Sequence, residues 1–115
     1  MAANSSFPLV RLVRNDTAPQ LRFTITDTVT GNPVDLNGAT VTLHFRAVNT
    51  TTVLLSRQAT IIAPASNGVA VIAWQAGDLD HPEGEYEGEV EIVLSSGVRE
   101  TVFNSLQFVI REEFA

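Results

Sequence analysis

Between Gly84 and Leu94 the chain alternates: Tyr86, Gly88, Val90, Ile92 and Leu94 on one parity, Glu85, Glu87, Glu89 and Glu91 on the other. A β-strand repeats every two residues, so this segment predicts a strand with one apolar and one anionic face. The apolar face needs a second layer to cover it, which makes the domain a layered β structure.

The same period recurs along the chain. Phe7 to Val13 reads as a first extended segment. Gln20 to Asp27 places Leu21, Phe23 and Ile25 on one face, with Arg22, Thr24 and Thr26 on the other. Ala39 to Arg46 places Ala39, Val41, Leu43 and Phe45 against Thr40, Thr42, His44 and Arg46. Val53 to Ile62 is a weaker strand region in two short pieces, and Val69 to Trp74 is apolar on both parities. Val98 to Ile110 ends with Leu106, Phe108 and Ile110 facing in, after a break at Asn104-Ser105. Turn chemistry separates these runs: Thr30 to Pro33, Asn37-Gly38, Asn49 to Thr52, Pro64 to Gly68 and Ser95 to Gly97. The Asn67-Gly68 pair suits positive φ at both positions, as a tight hairpin demands. Gln75 to Glu83 crosses between strands with one helical turn near Asp78. Seven to eight strands with regular turn signals predict an all-β antiparallel sandwich. Nothing sustains a helical period.

Length adds that 115 residues make one domain, residues 1–115, with residues 1–8 as an arm and residues 111–115 as a tail. Without cysteine, packing alone holds it together. The net charge is −6, and all seven basic residues are arginines scattered along the chain. An acidic chain with no basic run is a poor match for a phosphate backbone, so nucleic acid is excluded as a partner. No apolar run approaches the length of a membrane span, and no signal peptide opens the chain. These features predict a soluble protein made in the cytoplasm.

Candidate chemistry is sparse. Asp78, Asp80, His81 and Glu83 gather carboxylates and an imidazole on one loop. The spacing lacks the ligands and glycine of an EF-hand, and the bland reading has Asp78 capping a turn, Leu79 plugging the core and Pro82 setting up a strand. His44 and His81 have no serine or acid at a triad spacing, and no P-loop or dinucleotide fingerprint is present. The expectation is no enzyme, no catalytic residue, no metal and no cofactor. Glu85, Glu87, Glu89 and Glu91 read as a solvated outer face or as a docking face for a basic partner. Trp74 reads as core, with an exposed sugar platform as the alternative.

Gly84-Glu85-Tyr86 resembles the tyrosine corner of immunoglobulin-like domains, and the antibody-type cysteine is absent. The order of elements goes further. Asp35-Leu36-Asn37-Gly38-Ala39-Thr40-Val41, Asn67-Gly68, Trp74, Leu79 and Gly84-Glu85-Tyr86 resemble, in sequence, the N-terminal immunoglobulin-like domain of bacteriophage baseplate upper proteins and related small phage tail proteins. That resemblance implies a virion structural protein of the tail or baseplate, made in the host cytoplasm. It implies contacts with other virion proteins, as a symmetric trimer or hexamer. Phe7 and Phe114 would be apolar anchors on the arm and tail, and Glu85, Glu87, Glu89 and Glu91 a possible interface. A capsid decoration protein and a carbohydrate-binding module are the alternatives.

Overall fold

The computed structural model describes residues 3–4, 9–102 and 105–114. The strands are β1 (Ala3–Asn4), β2 (Val10–Val13), β3 (Leu21–Thr24), β4 (Thr26–Asp27), β5 (Thr40–Ala47), β6 (Leu55–Gln58), β7 (Thr60–Ile61), β8 (Val69–Ile72), β9 (Gly84–Val93), β10 (Arg99–Thr101) and β11 (Leu106–Arg111). Ile25 interrupts the run read as continuous from Gln20 to Asp27, while Ala59 divides Val53 to Ile62 into the two pieces expected. Residues 103–104, between β10 and β11, lie outside the described residues.

Two sheets face each other, and β1 pairs antiparallel with β4 in a separate two-stranded sheet. The larger runs β2-β11-β9-β5-β6, with β10 continuing alongside β9 beyond β11; the smaller runs β3-β8-β7. The long alternating run is the centre of the larger sheet. β9 pairs antiparallel with β5 from Thr40↔Val93 to Ala47↔Tyr86, and with β11 from Leu106↔Gly88 to Ile110↔Gly84. One pair departs from the antiparallel expectation: β2 runs parallel to β11, Val10 opposite Phe108. Parallel neighbours need a long crossover, and here almost the whole chain separates the two.

The core is one cluster drawn from both inner faces, with Leu43, Phe45, Val90, Ile92 and Leu106 fully buried against Ala70 and Ile72 of the smaller sheet. Edge-to-face contacts join Phe45, Trp74 and Phe108, with ring centroids 5.2 to 6.0 Å apart. The phenol of Tyr86 stacks on Phe45 and donates to the Pro82 carbonyl at 2.5 Å, which closes the corner expected from Gly84-Glu85-Tyr86. The fold is immunoglobulin-like.

One turn differs from expectation. Residues 65–67 form a 3-10 turn, and only Gly68 takes positive φ, at 69°. A Cβ there would lie 2.6 Å from the Ile25 carbonyl oxygen, so the position excludes side chains on two grounds. Of the expected anchors, Phe7 lies outside the described residues.

Candidate functional site

The loop that gathered carboxylates and His81 is structural. Arg57 points inward from β6 and grips Asp78 twice, Nη2 to Oδ1 at 2.6 Å and Nε to Oδ2 at 3.1 Å. Asp78 also accepts the Gln75 backbone N–H at 2.8 Å and is 8 % exposed. Leu79 is fully buried, as the bland reading has it. Asp80 turns the other way, to Arg14 at 2.9 Å, and Arg14 also reaches Glu112 at 2.9 Å. Those two carboxylates hold the Arg14 guanidinium above its ordinary range. His81 lies against the rings of Phe45 and Tyr86. The group is spent on holding the crossover to the sheets.

The outer face of the larger sheet is different. Alternation aims Thr42, His44 and Arg46 of β5 and the four glutamates of β9 at solvent, and register decides who meets whom. Arg46 lies opposite Glu87 and bonds its Oε2 through Nε at 3.0 Å and Nη2 at 2.8 Å. Arg99 of β10 reaches Glu91 at 3.3 Å. The chain itself thus supplies part of the basic complement that a docking face would take from a partner. Among the described residues, the exposed side chains of Glu85 and Glu89 form no ion pair or hydrogen bond.

A shallow cleft of about 190 Å³ opens on this face, lined by His44, Arg46, Val53, Glu87, Gly88, Glu89 and Ser105. Gly88 is there through its backbone. Its Cβ would point inward, 2.8 Å from Leu43 Cδ1 and 2.9 Å from Phe108 Cε2, so the core dictates glycine. Val53 is half exposed and gives the cleft an apolar wall.

Beside the cleft lies an arrangement that sequence spacing did not reveal. Ser56 Oγ and His44 Nδ1 share a hydrogen bond of 2.7 Å, and His44 Nε2 stands 3.8 Å from Glu91 Oε1. Cross-strand register, His44↔Ser56 on one side and Thr42↔Glu91 on the other, brings these residues together. The order is hydroxyl, imidazole, carboxylate. Nucleophilic catalysis also needs a hydrogen-bonded base and orienting acid, and a water-excluded pocket with oxyanion donors. Here the imidazole–carboxylate gap is too long for a hydrogen bond, and the group lies on an open sheet face.

The remaining expected residues are dispersed. Phe114 is 96 % exposed, with the Arg111 guanidinium 4.8 Å from its ring centroid. Its neighbours Glu112 and Glu113 bond Arg14 and Asn15 of the same domain. Trp74 is buried, and among the described residues its indole N–H has no hydrogen-bond partner. It is no sugar platform, and among the described aromatic rings only that of Phe114 lies exposed. No helix of the described residues is long and apolar enough to cross a membrane.

No protein-family model and no curated protein matches the chain. Solved structures share its fold, among them the following two. CopC from Methylosinus trichosporium OB3b superposes with a TM-score of 0.55 at 8 % identity, over 98 % of this chain and 97 % of that one. PcoC, a methionine-rich copper resistance protein from Escherichia coli, superposes with a TM-score of 0.51 at 11 % identity, over 96 % and 100 %. These neighbours correct the phage reading. The chain's structural likeness is to copper-resistance proteins, and the expected baseplate membership falls. With it fall the virion function, its head-decoration and carbohydrate-binding alternatives, the virion location, the virion partners and the trimer or hexamer. The physical reason is plain. The Asp-Leu, Asn-Gly, Trp and Gly-x-Tyr positions that suggested phage proteins are devices of the sandwich itself: turn, core and corner. Such devices report fold and carry no function.

Proposed function

We propose that this chain is a non-enzymatic binding domain that receives its partner on the outer face of the larger sheet, at the cleft between His44, Arg46 and Glu89. One observation carries the reading: Glu87 and Glu91 have intramolecular cationic partners, while Glu89, on the cleft wall, has none among the described residues. A cleft with an apolar wall at Val53 and a free carboxylate offers both contact area and direction.

The copper-resistance neighbours suggest copper as cargo, and the donor set does not fit it. The chain has one methionine and no cysteine. Among the described residues no three His, Cys, Asp or Glu side chains converge on a common point. Soft ligands that would select copper(I) are missing, and His44 and His81 occupy unrelated surroundings. The likeness is one of fold.

The test is amide chemical-shift mapping against short peptides spanning basic, neutral and acidic sequences. Perturbations centred on His44, Arg46, Glu87 and Glu89 are expected. Shifts confined to the smaller sheet, or none with any peptide, would overturn the reading. The absence of catalysis is checked with an activated ester: Ser56→Ala should hydrolyse it at the same rate as the parent chain, and a loss would count against a pure binding role.

A further inference from the structure

The chain holds two Asn-Gly pairs, Asn37-Gly38 and Asn67-Gly68, and both asparagines are exposed. An asparagine before glycine is open to attack on its own side chain. The next backbone nitrogen reaches the carboxamide carbon unhindered by a Cβ, and glycine is the residue freest to turn. The two pairs are alike in sequence, and the fold separates them. Gly68 is buried and tied on both sides of its backbone. Its N–H donates to the Ala65 carbonyl at 3.1 Å, and its carbonyl accepts the Ile25 N–H at 2.8 Å. Gly38 is exposed, in a turn closed by the Ala39 N–H on the Leu36 carbonyl at 3.0 Å. Among the described residues its own N–H has no hydrogen-bond partner, and neither has the Asn37 carboxamide. The Asn37 N–H is held by Asp35 Oδ1 at 3.0 Å, which leaves the nucleophile and the carbon it would attack to solvent.

From this we infer that Asn37 is a site of spontaneous covalent modification, deamidation through a cyclic imide, and that the fold protects Asn67 from the same reaction. Hydroxide takes the Gly38 amide proton. The nitrogen bonds Asn37 Cγ, the Cγ–Nδ2 bond breaks, and the departing amine takes a proton from water and leaves as ammonia. Water then opens the imide at either carbonyl, giving aspartate or isoaspartate. Water is consumed and ammonia released, with no oxidant, reductant or cofactor. Either product carries a new carboxylate, and isoaspartate also lengthens the main chain by a methylene. The change falls just before β5 and beside the Ser95 turn, since a Cβ on Gly38 would stand 3.0 Å from Ser95 Cβ. At Asn67 the Gly68 N–H must first leave Ala65, so reaction there waits on local opening. Asn32, near Asn37 in the chain, precedes Pro33, which has no N–H to give up.

The experiment incubates the full chain at mildly alkaline pH, where loss of the amide proton is favoured, and then cleaves after arginine. Arg22 and Arg46 bracket Asn37, and Arg57 and Arg99 bracket Asn67, so the two pairs fall in separate peptides for mass spectrometry. In the folded chain the Asn37 peptide should exchange NH2 for OH about ten times faster than the Asn67 peptide, the factor set by first breaking one backbone hydrogen bond. Chromatography should split the product into aspartate and isoaspartate forms. The same incubation in denaturant should bring the two rates together, because the local sequence is Asn-Gly in both. Asn37→Gln should silence its peptide and leave Asn67 slow. Equal rates in the folded chain, a faster Asn67, or an Asn37 that converts only in denaturant would overturn the inference. So would a rate difference that persists in denaturant, since sequence and not fold would then set it, or conversion that continues in the Asn37→Gln peptide.

Discussion

Gly88 shows how much one residue can owe to its neighbours. It sits mid-strand, where glycine is ordinarily costly, and its backbone is extended. Its missing Cβ is what lets Leu43 and the Phe108 ring close over β9. Both side chains are buried, so neither can swing away. Gly88→Ala should cost about 1–3 kcal/mol by overpacking, read as a melting temperature lowered by about 4 °C per kcal/mol. An unchanged melting temperature would show that the core yields at this point. Sequence alternation put Gly88 correctly on the inward face, but could not say why that place holds no side chain. The reason lies in residues 45 and 20 positions away.

At the scale of elements, the Arg57–Asp78 pair ties the edge strand β6 to the crossover from the smaller sheet to the larger. Edge strands are open to unwanted pairing, and an inward charge on such a strand is one way to blunt it. Asp78→Ala leaves the guanidinium without its acceptor and frees the Gln75 N–H. The Arg57 side chain keeps 25 % exposure, so the loss should fall at the low end for a broken buried pair, about 3 kcal/mol. Arg57→Met combined with Asp78→Leu should recover most of it, and a double-mutant cycle by denaturant unfolding measures the coupling. Additive costs would mean that the pair does not hold the crossover. The loop was legible in the sequence as a crossover with a capping aspartate. Its partner was not, because Arg57 stands 21 residues earlier on a strand that reads weakly.

Over the whole molecule, Tyr86 links the corner to the charged end formed by Arg14, Asp80 and Glu112. Burial pushes its phenol above the ordinary value of 10.0; Arg14 opposes the shift and Glu112 adds to it. The folded state therefore favours the neutral phenol. Its stabilisation is complete below about pH 10 and is lost as pH rises through the elevated folded-state value. The parent chain should lose stability above about pH 10 more steeply than Tyr86→Phe, which in turn should be about 1 kcal/mol less stable at neutral pH. Parallel curves for the two in alkaline denaturant titrations would remove Tyr86 from that role.

Alternation along β3, β5, β9 and β11 determined the strands, their inward residues and the class of fold, because side-chain parity is a local property of extended backbone. Turn residues marked the boundaries for the same reason, although the loop before β8 became a 3-10 turn. Tertiary structure alone decided which of the outer glutamates are paired. Each of the four has the same local sequence signature, and register with β5 and β10 gives two of them arginines and leaves two without. Cross-strand pairing couples residues tens of positions apart. That is why the hydroxyl–imidazole–carboxylate group, the Arg57–Asp78 grip and the unpaired Glu85 and Glu89 emerge only when the sheets are assembled.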